Sequence, residues 1–348
     1  MPISVVGLQG LSMRGPIPVV SPLVEMGSAL HVLADPSHHQ ADGWAADLRS
    51  GLDPDLARRT SAWAWTSQAI RAAPFLTPST AVFGAELERL QELPPERLAT
   101  QLLRPISRTG DLATARRWSR SRDPAVTERV ETLIERPADG AAAFLDFLAE
   151  TWTAWFEAEW RRVEPGIRSA TRRFSRRVTT TGSVAKALAT LDPAIAAGAT
   201  GGGVTIAKVQ NARHDVTNRG LAVALSQFVW PHVYVANVAG QPLLLICPAE
   251  PRDRPGALDT VPEVMARLAA LAHVGRLEVA RAIATEPRTA GEIAALWRMD
   301  ATLVNRHLRA LAAAGLARPT RRGRFVQYGL DLDAVRGLGD EVMVLLLR

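Results

Sequence analysis

The sequence predicts a mostly α-helical chain of two domains with one small β-sheet. Three observations predict it. Apolar residues recur at helical spacing over most of the first 190 positions. Short β-rich runs divided by Gly, Asn and Pro follow, near residues 204–247. A polar, Pro-rich stretch, "EPRDRPGALDTVPE", then separates a compact helical module that closes on a hairpin. The expected boundaries are 1–255 for a large α-rich domain and 262–348 for the second. The 348 residues, 47% of them hydrophobic, suffice for two cores.

Residues 1 to about 20 read as an extended lead. In "SPLVEMGSALHVLAD", Ser21 is placed to cap a helix, Pro22 suits its first position, and Leu23, Met26, Leu30 and Leu33 form its apolar side. Helical patterns continue through "AADLRSGL", "DPDLARRTSAWAWTSQAI", "AVFGAELERLQEL", "PERLATQLLRPIS" and "DPAVTERVETLIE", broken by prolines. The strongest helix starts at "GAAAFLDFLAETWTAWFEAEW", where Phe144, Phe147, Leu148, Thr151, Trp152, Trp155 and Phe156 form one stripe. Pro165 should kink or interrupt it. A short helix, "SVAKALATL", leads into "GVTIAKVQ", "GLAVALSQFVWP", "HVYVANVAG" and "QPLLLICPA", expected to form a small antiparallel sheet.

In the last third, "EVMARLAALAH" and "GRLEVARAIAT" are helical. "TAGEIAALWR" begins with Thr289 and Glu292 at capping-box spacing, with Ile293 and Leu296 facing inward. After the turn "RMD", Asp300 can cap "ATLVNRHLRALAAAG", whose buried face is Val304, Leu308 and Leu311 and whose stop is Gly315. Two short helices joined by a tight turn are the helix-turn-helix pattern. Thr302, Asn305, Arg306 and Arg309, spaced i, i+3, i+4, i+7, share the opposite side, and His307 stands among them as a candidate phosphate contact or packing residue. Asn pairs bidentately with adenine, Arg with guanine, and Thr touches a thymine methyl, so the face suits base reading in a major groove. "LARPT" and "RFVQYGL" then pair around "RRGR", with Val326, Tyr328 and Leu330 inward. Arg321, Arg322 and Arg324 crowd the tip, which should meet backbone phosphates or a minor groove as a wing.

Residues 262–348 resemble the winged helix-turn-helix of ArsR-type transcriptional regulators. The segments that carry the resemblance are "GRLEVARAI", "TAGEIAALWRM", "NRHLRALAAAGL" and "GRFVQYGL", in that order. Asn305 stands where the family usually has Ser, and Gly275 where it usually has Pro or a similar residue. "SPLVEMGSALHVLADPSHHQADGW", the aromatic helix and "LSQFVWPHVYV" with "LLLICPA" resemble the large N-terminal domain that precedes such modules in one subfamily of bacterial regulators. No activity comes with that domain. The resemblance implies sequence-specific binding of double-stranded DNA, most simply as a repressor, and a homodimer. The final segment, with Leu332, Val335, Leu338, Val342, Leu345 and Leu346, is its candidate interface.

Other readings are weaker. The net charge is +6, but Lys186 and Lys208 are the only lysines, so the arginine bias can reflect base composition of the genome. His31, His38 and His39 lie close in sequence, yet a turn cap or surface pair explains them without a metal. Cys247 is the single cysteine, excludes an intramolecular disulfide, and reads as a buried inert thiol. "TGGGV" lacks the continuation of a phosphate loop, and "RRVEPGIRSATRRFSRR" reads as a solvated helix face. Phe144, Trp152, Trp155 and Phe156 are core residues that also border a candidate pocket for a small-molecule effector. No cofactor, metal or catalytic constellation is expected. Neither a membrane span nor a secretory signal is visible, so a cytoplasmic protein is expected. A constitutive nucleoid-type DNA binder and an enzyme tethered to a winged helix are the alternatives.

Overall fold

A computed structural model describes the chain except for residues 1, 12–14, 37, 38, 40, 69, 70, 80, 81, 108–110, 200, 209, 210, 251–260, 323, 324 and 348. Of 261, 322, 340 and 343–347 it describes the backbone alone. The fold divides into two compact units, one spanning residues 3–206 and 212–253, the other chiefly 254–348. Residues 251–260, the centre of the expected linker, lie outside the described residues.

The larger unit starts with strands β1 (Ile3–Val6) and β2 (Ile17–Val19) and helix α1 (Pro22–Ala34). Helices α2 (Asp42–Gly51), α3 (Pro54–Trp63), α4 (Phe83–Gln91), α5 (Pro95–Leu103), α6 (Leu112–Ser119), α7 (Pro124–Glu135) and α8 (Pro137–Thr151) follow. A π-helical segment, Trp152–Phe156, joins α8 to α9 (Glu157–Thr181), and α10 (Val184–Leu188) ends the helical run. The strands β3 (Ile195–Ala197), β4 (Gly203–Ile206), β5 (Ala212–Asp215), β6 (Leu221–Ser226), β7 (Tyr234–Ala236) and β8 (Leu243–Pro248) complete it.

Local signals explain the helix starts. The Ser21 hydroxyl accepts from Val24 N–H at 3.1 Å, and Asp53, Asp111 and Asp123 cap α3, α6 and α7 in the same way. The helix α6 escaped the sequence reading, although Asp111 marks its start. Pro165 does not interrupt α9, which runs through it. Residues of α8 sit at the centre of the core, where Phe144, Phe147 and Leu148 are fully buried beside Trp63 and Phe75. In α1, Gly27 is required by close packing, since a Cβ there would come within 2.6 Å of the Phe75 ring.

The expected single antiparallel sheet is instead two mixed sheets. One has the order β3-β4-β1-β5, with β1 parallel to β5. The other has the order β2-β6-β8-β7, with β2, β6 and β8 parallel and β7 antiparallel to β8. The physical reason lies in burial. Leu221, Val223, Leu225, Leu243, Leu245 and Cys247 face the main core, while Ala222, Ala224, Leu244 and Ile246 face a second apolar cluster. Strands covered on both faces read as continuous apolar runs, which is the pattern of parallel sheets. The N-terminal strands supply the missing partners.

The smaller unit comprises α11 (Val261–Leu271), α12 (Val274–Ala282), the short β9 (Arg288–Thr289), α13 (Ala290–Trp297), α14 (Ala301–Ala313), β10 (Ala317–Arg322), β11 (Phe325–Leu330) and α15 (Leu332–Leu347). Its core is Val279, Ile283, Ile293, Val304, Leu308, Leu311 and Leu316. The hairpin of β10 and β11 takes β9 as a third strand, with Gln327 opposite Thr289. This is a winged helix-turn-helix within a chain that is mostly helical.

Candidate nucleic-acid interface

The geometry of the site starts at two caps. At α13, Thr289 Oγ1 accepts from Glu292 N–H at 3.2 Å, and Glu292 Oε2 accepts from Thr289 N–H at 2.7 Å, the reciprocal capping box. Hydrogen bonds from the Thr289 N–H and hydroxyl hold the Glu292 carboxyl below its ordinary range. At α14, Leu303 N–H donates to Asp300 Oδ1 at 2.8 Å. Between the two helices Arg298 adopts a left-handed backbone, φ +54°, which turns the chain sharply enough to swing α14 away from α13. Gly315, at φ +71°, ends α14.

With α14 fixed at its start and its end, its faces sort cleanly. Val304, Leu308 and Leu311 are fully buried. Thr302, Arg306 and Arg309 are exposed on the other side, and Asn305 is half-buried at its edge. Neither Arg306 nor Arg309 makes a hydrogen bond or ion pair to a described residue. Other arginines of the unit are committed to structure. Arg276 donates to the Ala269 and Ala270 carbonyls at the end of α11, both at 2.7 Å, and Arg318 Nε donates to Asp331 Oδ2 at 2.6 Å. Burial presses the Asp331 carboxyl upward, but hydrogen bonds from Ala334 N–H and Arg318 outweigh it, and the group ends below its ordinary range.

His307 is not on the outer face. It is 3% exposed and packs at a ring-centroid distance of 5.0 Å from His273. The reason is spacing: 304, 307, 308 and 311 follow i, i+3, i+4, i+7, so His307 belongs to the buried comb. Two other inward expectations also fail. Leu296 is 60% exposed, in the last turn of α13, where the chain leaves the helix at Arg298. Val326 is 42% exposed, because it pairs with Arg321 near the hairpin tip, beyond the body of the unit. Tyr328 and Leu330 are half-buried against the core. In the wing, Arg321 is exposed. Arg324 and the Arg322 side chain lie outside the described residues.

The larger unit disposes of its candidates differently. Phe144 and Phe156 are fully buried, Trp155 is nearly so, and Trp152 stacks on Phe83 at 4.3 Å with ring planes 3° apart. All four are packing residues. A cavity beside α8 meets that helix through Phe147 instead. His39 is buried rather than a surface pair. Its Nδ1 lies 2.6 Å from the Trp230 carbonyl, and its ring contacts His31 and His232. His38 lies outside the described residues. Among the described residues no group of three or more His, Cys, Asp or Glu is placed to hold a metal ion. Cys247 is buried. The basic run on α9 is an exposed face laced with ion pairs, Arg161 to Glu157 and Arg168 to Glu164 among them. Among the described residues no helix is long and apolar enough to cross a membrane.

Fold and site together define a DNA-binding transcriptional regulator whose winged helix-turn-helix carries an ArsR-family core: residues 273–318 match the model of the bacterial regulatory protein, arsR family. Residues 3–253 match a family of unknown function, DUF5937, and the chain belongs to that family. Among solved structures it is similar to an ArsR-like transcriptional regulator from Rhodococcus sp. RHA1, at 22% identity, over 24% of this chain and 77% of that one, with a TM-score of 0.23. It is also similar to a homodimeric winged helix-turn-helix DNA-binding domain from Mycobacterium bovis, described as a possible ArsR-family transcriptional regulator. There the identity is 28%, over 27% of this chain and 87% of that one, with a TM-score of 0.22. No curated protein matches the chain.

Proposed function

We propose that the protein binds specific duplex sites through α14, as a homodimer, and represses transcription there, with the larger unit sensing a small molecule. The observation that carries the reading is the outer face of α14. Thr302, Asn305, Arg306 and Arg309 lie on one side, and the two arginines make no hydrogen bond or ion pair to a described residue. An arginine without a protein partner keeps its five donors for a guanine edge or a phosphate. The wing adds Arg321, Arg322 and Arg324, which supply contacts that do not depend on sequence.

A dimer follows from the same economy of contacts. One winged helix covers little DNA, and two-fold pairing doubles the contacts while matching a palindromic site. The helices α11 and α15 pack side by side, tied by an Arg267–Glu341 ion pair of 2.6 Å. Met265 and Leu268 remain exposed on α11, 55% and 36%. Of the expected interface on α15, Leu338 is buried and Val335 packs on the core of the unit, so the proposed interface is the exposed Met265 and Leu268 of α11 with the exposed Leu332 of α15.

Mapping the bound sites across the genome, followed by titration of the recovered site, tests the reading. Replacing Arg321, Arg322 and Arg324 together should weaken specific and random DNA alike, and flatten the salt dependence by about one unit of slope per lost phosphate contact. Light scattering should give two chains per particle. A monomer that binds its site with one chain per duplex would contradict the dimer.

A further inference from the structure

A cavity of about 410 Å³ opens in the larger unit between α1, the end of α2, α3 and α8. Its volume falls in the range of small-molecule sites. Leu30, Leu33, Trp63 and Phe147 form an apolar floor, all buried. One charged feature stands out in this lining. Arg49 is the one charged residue of the lining. Its guanidinium donates to the Leu33 carbonyl and has no carboxylate partner among the described residues.

From the cavity lined by Arg49, Trp63 and Phe147 we infer that the larger unit binds a small amphipathic carboxylic acid, its apolar body on the floor and its carboxylate at Arg49. The inference gives the proposed sensing role a site and rests on that role for its consequence at DNA. The chemistry follows from the lining. An apolar floor selects an aromatic or aliphatic body. A single cation at the mouth, still able to donate, selects an anion and prefers it to a neutral isostere, because hydrogen bonds to charged groups are the stronger ones. A planar carboxylate also matches the guanidinium fork. A cation would meet Arg49 unfavourably.

Calorimetric titration of the full chain with octanoate, 3-phenylpropionate and indole-3-acetate, each beside its amide, tests the site. At least one acid should bind with one molecule per chain, and its amide should bind about ten-fold more weakly. Arg49→Met should erase that preference. Ala34→Trp, at the exposed rim, should block acid and amide together, with an unchanged melting profile to show that the fold is intact. No saturable binding of any acid at millimolar concentration, an amide equal to its acid, or undiminished binding to the Ala34→Trp chain would overturn the inference. The sensing role is read separately, by titrating the mapped DNA site with and without the bound acid. Changed DNA affinity is the expected result. Unchanged affinity beside saturable binding would overturn the sensing role and leave the carboxylate site standing.

Discussion

His307 on α14 packs against His273 at the start of α12, with ring centroids 5.0 Å apart and ring planes at 51°. Gly275 makes room for the pair, since a Cβ there would come within 3.0 Å of His307 Nε2. His307 thereby joins Val304, Leu308 and Leu311 in the buried face whose packing sets which side chains of α14 point outward.

This contact makes the smaller unit sensitive to acid. Burial, then the nearby His273, Arg306 and Arg276, hold the His307 imidazole below its ordinary value of 6.5. The folded state therefore keeps the ring neutral while the unfolded chain takes up a proton first. Stability from this group is fully present above 6.5 and is lost as the pH falls below it. Urea denaturation at about pH 7.5 and about pH 5.5 should show a smaller difference in a His307→Leu chain than in the parent. An unchanged difference would mean that the ring titrates normally.

The turn between α13 and α14 stores strain at Arg298, at φ +54°. A β-branched side chain tolerates that backbone worst, so Arg298→Val should cost about 1–2 kcal/mol of stability. Arg298→Gly should stay within roughly 0.5 kcal/mol of the parent, since glycine relieves the strain but loses more entropy on folding. Equal effects of the two substitutions, measured by denaturant midpoint, would place the strain elsewhere.

In the larger unit Glu25 is 2% exposed and caps the end of β6, accepting from Gln227 N–H at 2.8 Å. Burial pushes its carboxyl up to about 7, against the lowering effect of Ser226, Gln227 and Arg71. The folded chain thus holds this proton to higher pH than the unfolded one. Its stabilising contribution is complete below 4.5 and declines as the pH rises to about 7. That decline is on the order of 3 kcal/mol. Glu25→Gln should remove it from the pH profile of stability. A variant with the parent's slope across this window would contradict the assignment.

What was legible in the sequence was local. The caps at Ser21, Thr289 and Asp300 and the comb of Val304, Leu308 and Leu311 depend on neighbours a few residues apart, and each stands where its spacing indicates. The burial of His307 obeyed the same spacing and was readable, but the polar character of histidine masked it. Sheet topology was not legible, because β1 and β2 find partners about two hundred residues away. The cavity at Arg49 was equally hidden: packing of α1, α2, α3 and α8 brings its residues together, with Phe147 alone of the aromatic stripe lining it, whereas Phe144, Trp155 and Phe156 are spent on the core.

The central claim is that the outer face of α14 reads bases. The direct measurement compares the affinity of the parent, Asn305→Ala and Arg306→Ala chains for the mapped site, for the site with each base pair substituted, and for random duplex. Each variant should lose about 1–3 kcal/mol at the specific site, lose its preference at one base pair, and keep nearly all of its affinity for random DNA. Equal losses on specific and random DNA, with every base preference intact, would contradict base reading by this helix.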